Sequence, residues 1–220
     1  EGNNMKSFLV IGMGEFGLLL AQKLTALNQD VMIIDENAER IETLSSHFTD
    51  AQIGDCTNME VLKSLGVGNF DICFVAIGEN FQASLEITSL LKDLGAKRVV
   101  SKAKSGIQEK FLLRNGADEV IYPERICAEK LAIRHSANNV FDYIELTPEY
   151  SIFEIPVLPA WMGSSIMSLN VRRKHGVNIL AIKNDGKLTP APGADYVFQP
   201  LDHLVVIGKP SDVYKLTNKI

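Results

Sequence analysis

Short apolar runs alternate with amphipathic stretches along the first 122 residues of the chain. A continuous apolar run is typical of a strand buried on both faces, and apolar residues spaced three and four apart indicate a helix packed on one side. The apolar runs predict strands at residues 8–11, 31–34, 51–53, 71–77, 98–101 and 119–122. The amphipathic stretches predict helices at residues 16–27, 38–47, 58–65, 81–94 and 107–114. This alternation predicts an α/β fold with a doubly wound parallel sheet between two layers of helices.

The pattern changes after residue 122. Residues 123–138 have the spacing of one long helix, and Pro123 suits its first turn. Strand-like segments then follow without long helices between them, at residues 141–146, 150–157, 178–183 and 204–207. Asn184-Asp185-Gly186 is a hairpin signal, and residues 211–216 predict a short closing helix. We therefore predict a Rossmann-like domain at 5–122, a connecting crossover helix at 123–143, and a small α+β C-terminal domain at 144–220.

A glycine-rich loop lies between the first predicted strand and the first predicted helix. Its residues are Gly12, Met13, Gly14, Glu15, Phe16 and Gly17. The GxGxxG spacing lets the chain turn tightly, lets a pyrophosphate approach the backbone, and lets the helix pack closely on the sheet. The helix N-terminus offers free amides and a partial positive charge to the phosphates. This context predicts an adenine-nucleotide site, and the alternative is a glycine turn that serves packing alone.

Further ligand contacts are expected where the other strands end, because ligands bind at the carboxyl ends of parallel strands. Asp35 ends the second strand and can accept hydrogen bonds from ribose hydroxyls, and its charge disfavours a 2′-phosphate and hence NADP(H). The remaining expected contacts are Glu36, Asp55, Cys56, Ala76, Ile77, Gly78 and Lys102. Asp55 either bonds the adenine amino group or caps a helix. Lys102 either reaches a terminal phosphate or is a solvated lysine.

Composition narrows the classes of partner. The chain of 220 residues carries 27 acidic and 22 basic residues, a net charge of -5, and this balance does not favour a nucleic-acid binder. No apolar run approaches the roughly 20 residues that cross a bilayer, so the chain is not expected to be membrane-embedded. Three cysteines without metal-site spacing suit a reducing cytoplasm. We expect residues 1–4 to be a remnant that precedes a start at Met5.

The sequence shows no arrangement of proton-transfer residues that is typical of a dehydrogenase. A dehydrogenase needs a proton-transfer group beside the nicotinamide. The histidines are His47, His135, His175 and His203, and none of them directly follows a strand of the predicted parallel sheet. This favours a ligand-binding regulatory module over an enzyme. An NAD-dependent oxidoreductase remains the alternative, and a transcriptional sensor is a weaker one because no helix-turn-helix is evident.

These motifs together resemble a known family. The pieces are the loop at 8–17, Asp35-Glu36, the segment 54–57, the segment 75–78, Lys102-Ala103, the segment 122–124, and in the second half the segments 169–172, 176–182, 190–192 and 202–208. In this order and spacing they resemble the RCK proteins, cytoplasmic regulatory subunits of Trk and Ktr potassium transporters. The resemblance implies a Rossmann lobe that binds ATP, ADP or NAD(H). It also implies homodimers formed through the connecting helix, an octameric gating ring, and attachment to a membrane potassium-transporting subunit at the inner face of the membrane.

The resemblance also implies two further sites. Glu124 matches a glutamate that helps to hold a divalent cation, Mg²⁺ or Ca²⁺, at the dimer interface, and a first-turn helix acid is the alternative. In the C-terminal domain, some relatives bind cyclic di-AMP at the dimer interface. The matching positions are Asn170, Arg172, Ile179, Ile182 and Pro190. A plain hydrophobic dimer interface is the alternative there.

One residue departs from the family pattern. Many relatives carry arginine at the fourth position of the glycine loop, where this chain has Glu15. A carboxylate near a triphosphate is unfavourable unless a cation or Lys102 offsets it. The departure therefore leaves ADP, AMP, NAD(H) and cation-assisted ATP binding open. A Glu15 that points to solvent would leave ATP binding unaffected.

Overall fold

The computed structural model describes residues 5–136 and 140–218. The chain divides into two compact units, Glu1–Arg125 and Ile126–Ile220, and the division falls inside one helix. The end of the predicted helix at 137–138, and Asn139, lie outside the described residues. Among the described residues, no helix has both the length and the apolar character needed to cross a bilayer.

The N-terminal unit contains a parallel sheet whose described part has six strands. They are β1 (Ser7–Ile11), β2 (Asp30–Asp35), β3 (Asp50–Ile53), β4 (Ile72–Val75), β5 (Val99–Lys102) and β6 (Glu119–Ile121). Their order across the sheet is β3-β2-β1-β4-β5-β6, and every pairing between neighbours is parallel. The chain therefore starts in the middle and winds outward in both directions, which confirms the doubly wound plan. The order reverses between β1 and β4, and crevices form at such a switch point.

Helices connect these strands, and polar side chains begin four of them. The helices are α1 (Glu15–Ala26), α2 (Ala38–Leu44), α3 (Met59–Leu65), α4 (Phe81–Asp93), α5 (Gly106–Arg114) and α6 (Pro123–Ser136). The side chains of Asn37, Asn58, Asn80 and Ser105 each accept a backbone amide of the first turn. Helix α2 is shorter than predicted, because Ser45–His47 form a tighter 3-10 turn.

Both faces of this sheet are covered, as the continuous apolar runs predict. Leu9 and Ile11 of β1 pack in one hydrophobic cluster with Leu62 of α3. Val10, between them in the strand, packs in the opposite cluster with Ala21 of α1. Because successive strand residues point to opposite faces, a strand buried on both sides must be apolar at every position.

The C-terminal unit is built on an antiparallel sheet. Its strands are β7 (Asp142–Glu145), β8 (Ser151–Pro156), β9 (Asn178–Asn184), β10 (Lys187–Pro190) and β11 (His203–Gly208), in the order β10-β9-β11-β8-β7. The predicted hairpin is confirmed: Asp185 and Gly186 both have positive φ, and Asn184 pairs with Lys187. Helix α9 (Pro210–Thr217) closes the unit. Two short helices, α7 (Ile166–Leu169) and α8 (Val171–His175), were not predicted.

Candidate functional site

A cleft of about 470 Å³ opens at the carboxyl ends of the central strands of the N-terminal unit. Its size lies within the range of small-ligand pockets. Four chain segments that follow β1 to β4, together with parts of α2 and α4, surround it. The lining residues are Ile11, Gly12, Gly14, Asp35, Glu36, Arg40, Gly54, Asp55, Cys56, Thr57, Ala76, Ile77, Gly78, Glu79, Asn80, Ala83 and Ile87.

The glycine loop forms one wall of this cleft, and its three glycines have different constraints. Gly12 has a φ of +94°, and a side-chain carbon there would meet Ile77 at 3.0 Å. A side-chain carbon at Gly17 would overlap the carbonyl oxygen of Gly12, so α1 could not approach the loop. At Gly14 such an atom would meet nothing within 4 Å. Gly14 is thus bare on its open side, which leaves its backbone accessible to a ligand.

Helix α1 begins at the edge of the cleft. Gly14 is its N-cap and has no side chain to accept the first amides of the helix. The first-turn N–H groups of a helix have no partner within the helix, and together with the helix dipole they favour an anion. The loop and the helix start therefore present backbone N–H groups that favour an anion.

Asp35 joins the end of β2 to the glycine loop. Its Oδ2 accepts the backbone N–H of Met13 at 2.6 Å, and its Oδ1 accepts the backbone N–H of Asn37 at 2.8 Å. The residue is 8% exposed although it lines the cleft. Asp35 therefore fixes the loop conformation, a role that the sequence did not indicate. The predicted contact with ribose hydroxyls stays a prediction.

Arg40 is a cleft residue that the sequence analysis missed. It lies in α2, and its Nη1 is 3.7 Å from Asp35 Oδ2. Together with Glu36 it lines the end of the cleft beyond β2. The signal available in the sequence was its position one turn into the helix that follows the acidic end of β2.

Asp55 and Cys56 border the cleft after β3. Asp55 Oδ1 accepts the backbone N–H and the hydroxyl of Thr57 at 2.9 and 2.7 Å. Its carboxylate therefore stabilises its own turn. The predicted contact with the adenine amino group stays a prediction. Cys56 is buried, and this burial, with the charge of Asp55, raises the pKa of its thiol to about 12. Cys56 is thus a neutral thiol at the cleft wall.

Lys102 lies next to the cleft, at the end of β5. Its side chain is 12% exposed, and its Nζ is 3.3 Å from Glu124 Oε1 and 5.3 Å from the ring centre of Phe16. The backbone amide of Glu124 and the ammonium of Lys102 hold the pKa of the Glu124 carboxyl below its usual value. The structure thus brings together two side chains predicted at separate strand ends, Lys102 and Glu124.

The predicted site residues divide into two groups by location. Those that line the cleft are Gly12, Gly14, Asp35, Glu36, Asp55, Cys56, Ala76, Ile77 and Gly78. Those outside its lining are Met13, Glu15, Phe16, Gly17, Lys102 and Glu124. The side chain of Met13 is 4% exposed in a hydrophobic cluster, so only its backbone takes part. Glu15 is exposed in the first turn of α1.

Neither Glu124, the residue predicted to hold a metal ion, nor any described histidine belongs to a cluster of metal-binding side chains. Among the described residues, no group of three histidine, cysteine, aspartate or glutamate side chains is arranged to hold a metal ion. His47 ends the 3-10 turn after α2 and is not among the residues that line the cleft. The proposed cation at Glu124 therefore requires oxygen ligands from elsewhere, such as the phosphates of a nucleotide.

In the C-terminal unit, the predicted second-site residues are placed unequally. Arg172 on α8 and Pro190 on β10 are exposed, and Asn170 lies between α7 and α8 with a φ of +48°. Ile179 is partly buried against the core. Ile182 is 1% exposed inside the core, so its side chain is not available to a ligand. The expectation of a ligand contact at Ile182 is corrected accordingly.

Comparison with known proteins follows this division into units. The family described as TrkA-N domain matches residues 8–123, and the family described as TrkA-C domain matches residues 150–220. The chain is 38% identical to Ktr system potassium uptake protein C of Bacillus subtilis (strain 168) over 215 residues, which is 98% of this chain and 97% of that protein. It is also 38% identical to Ktr system potassium uptake protein A of the same organism over 214 residues, covering 97% and 96% of the two chains.

A solved structure shows the same fold. The GsuK channel bound to NAD superimposes with a TM-score of 0.68 at 21% sequence identity. The match covers 96% of this chain and 39% of that chain, so this chain spans well under half of the channel polypeptide.

Proposed function

Because this chain belongs to the family of TrkA-N and TrkA-C domain proteins that includes the Ktr potassium uptake proteins, we propose that it is a nucleotide-sensing regulatory subunit of a potassium transporter. In this proposal the N-terminal unit binds an adenine nucleotide. The bound nucleotide then changes the activity of a separate membrane subunit that conducts the ion.

The observation that carries the nucleotide proposal is the open face of Gly14 beside the uncapped start of α1. A ligand with a pyrophosphate can approach the backbone there and accept the free amides of the first helical turn. Asp35 holds the loop in the required shape through Met13. A turn that served packing alone would require Gly12 and Gly17 but would not require a bare Gly14.

The rest of the nucleotide follows the cleft from the glycine loop toward β2 and β3. Glu36 and Asp35 lie where the ribose hydroxyls would be, and Arg40 adds a planar cation at the same end. Asp55 and the backbone around Cys56 lie where the adenine would be. Arg40 is 3.7 Å from Asp35, so its charge is already partly balanced, and the two carboxylates at the ribose end together disfavour a 2′-phosphate. We therefore propose ATP, ADP or NAD(H) as the ligand.

Regulation follows from population shift. A ligand moves a conformational equilibrium only by the difference in its affinity for the two states. We propose that the chain forms homodimers through α6, that the dimers assemble into an octameric ring, and that the ring lies against the membrane subunit at the cytoplasmic face. Glu124 would hold Mg²⁺ or Ca²⁺ together with the phosphates of the nucleotide. This cation site would make the difference in affinity depend on which nucleotide is bound.

Cyclic di-AMP is a second proposed ligand, in the C-terminal unit. Exposed Arg172 offers a guanidinium to phosphate, and Pro190 and Ile179 offer apolar surface to a purine. Binding should disappear in Arg172→Gln while nucleotide binding in the cleft is unchanged. Equal cyclic di-AMP binding by the variant would contradict this assignment.

The nucleotide proposal is tested by calorimetric titration of the purified chain with ATP, ADP, AMP, NAD⁺ and NADH. Gly14 has φ −68° and ψ 178°, which any residue adopts, so Gly14→Ala should fold normally. The added methyl group occupies the space of the pyrophosphate, and we expect at least about a tenfold loss of affinity. Gly106→Ala is the matched control, because a side-chain carbon at Gly106 also meets nothing within 4 Å and lies outside the cleft lining.

Three results would overturn the proposal. The first is that none of the five nucleotides binds, and the second is that Gly14→Ala and Gly106→Ala bind equally well. The third is hydride transfer to or from the nicotinamide, followed by absorbance, because it would identify an oxidoreductase instead of a regulatory subunit.

A further inference from the structure

Two lysine side chains converge on Gly78 at the edge of the cleft. A side-chain carbon at Gly78 would lie 3.7 Å from Nζ of Lys102 and 3.7 Å from Nζ of Lys104. Lys104 lies two residues beyond Lys102, and its backbone N–H donates to Gln108 Oε1 at 2.8 Å, which fixes its position at the start of α5. Because position 78 has no side chain, the surface beside both ammonium groups stays open.

Each of these lysines forms an ion pair with a carboxylate, and the two carboxylates differ in exposure. The charge of Lys104 also helps to lower the pKa of Glu124. Lys102 pairs with Glu124 at 3.3 Å and is nearly buried. Lys104 pairs with Glu79 at 3.2 Å, but the Glu79 side chain is 97% exposed. An ion pair with a fully solvated carboxylate contributes little and is easily exchanged. Lys104 can therefore leave Glu79 for a stronger anion at little cost.

The location of Gly78 in the cleft indicates which anion Lys104 would meet. Gly78 and Glu79 line the cleft on the β4 side of the glycine loop, away from Glu36 and Arg40 on the β2 side. A nucleotide that places its ribose near Asp35 and its pyrophosphate at Gly14 extends its terminal phosphate toward Gly78. A terminal phosphate carries more charge and more free oxygen atoms than a carboxylate, so it competes well for ammonium donors.

We propose that Lys104, together with Lys102, binds the terminal phosphate of a nucleoside di- or triphosphate above Gly78. This makes Lys104 a specificity-determining residue, and it rests on the proposed nucleotide function. AMP is too short to reach the pair. The two phosphates of NAD⁺ form a pyrophosphate bridge between its two riboses, so NAD⁺ has no terminal phosphate to place there.

The test is calorimetric titration of the full chain with ATP, ADP, AMP and NAD⁺ in the presence of EDTA. Lys104→Gln removes the charge and leaves the backbone contact to Gln108 in place. Lys97→Gln is the matched control, because Lys97 also forms an ion pair at 3.2 Å, with Asp71, at the opposite end of β5. It removes the same net charge without touching the cleft.

We expect Lys104→Gln to weaken ADP or ATP binding by about tenfold, with AMP and NAD⁺ within about twofold of the native chain. A loss for both ADP and ATP assigns the pair to the second phosphate, and a loss for ATP alone assigns it to the third. Lys104→Arg should keep the affinity within about threefold, since the charge is retained. Glu79→Gln should tighten binding by about twofold, because the competing carboxylate is gone.

The Lys104 proposal is wrong, while the nucleotide proposal stands, if the native chain binds ATP or ADP and Lys104→Gln binds them equally well. It also fails if the variant loses AMP and NAD⁺ affinity to the same extent, or if Lys97→Gln has the same effect as Lys104→Gln. If the native chain binds none of the four nucleotides, both this inference and the nucleotide proposal fail.

Discussion

Replacing Asp35 with asparagine should destabilise the N-terminal unit even without a ligand. The carboxylate accepts the backbone N–H of Met13 at 2.6 Å and that of Asn37 at 2.8 Å in a site where Asp35 is 8% exposed. An asparagine side chain has one carbonyl oxygen, so it can accept only one of the two amides and turns its NH₂ group toward the other. A hydrogen bond to a charged acceptor contributes about 1.5–3 kcal/mol, so the free energy of unfolding should fall by about 2 kcal/mol.

The assay is urea unfolding followed by circular dichroism. With a slope of about 2 kcal/mol/M, a loss of about 2 kcal/mol lowers the midpoint by about 1 M. Asp55→Asn is the control, because Asp55 also accepts a backbone amide two residues on, at Thr57, but is exposed. That variant should stay within about 0.5 kcal/mol of the native chain. Equal midpoints for Asp35→Asn and the native chain would refute the reasoning, and so would an equally large loss in Asp55→Asn.

Two further predictions concern the thiols and the acid dependence of stability. Cys56 and Cys73 are buried with thiol pKa values raised to about 12, so a thiol reagent should label both of them only on unfolding; rapid labelling of either one in the folded chain would contradict the buried placement. The Ser7 backbone amide and Lys97 hold the pKa of Asp71 below its ordinary value, so Asp71 stabilises the fold above its unfolded pKa of about 3.9 and loses this contribution as the pH falls through its folded pKa. Asp71→Asn should therefore be less stable than the native chain in urea unfolding at neutral pH, with the difference closing in acid, and a difference that persists below about pH 3 would contradict this.

Much of the fold follows from local sequence, because each strand of the parallel sheet is buried on both faces. Val10, for example, has no surface exposed, so its strand cannot tolerate polar residues and is recognisable as an apolar run. The apolar run of β4, in contrast, gave a wrong prediction of where the strand ends. The predicted strand extends through Ile77, but the strand ends at Val75, and Ala76 and Ile77 leave the sheet to line the cleft. An apolar residue beside a ligand cleft cannot be distinguished by sequence pattern from one in a strand.

The site was predictable where the backbone carries the chemistry and less predictable where side chains do. The glycine spacing predicted the tight turn at Gly12 and the close packing at Gly17, because only glycine satisfies both, and phosphate binding by this loop stays a prediction. Lys104 gave no signal, because a surface lysine has the same appearance in sequence wherever the fold places it. Arg40 gave only a weak one, its position in the helix that follows the acidic end of β2. Ile182 was expected at the second site only because its position matches the family, and a match of position does not show whether a side chain is buried. Its side chain lies in the core and is 1% exposed.

The measurement that tests the central claim most directly is potassium flux through the membrane subunit that co-purifies with this chain, reconstituted in lipid vesicles. The account predicts that ATP, ADP or NAD(H) changes the flux severalfold when the native chain is bound. It predicts no response to the nucleotide with Gly14→Ala, and an intact response with Gly106→Ala. Flux that is the same with and without the chain, or a response to nucleotide that survives Gly14→Ala, would contradict the proposal that this cleft senses a nucleotide to regulate transport.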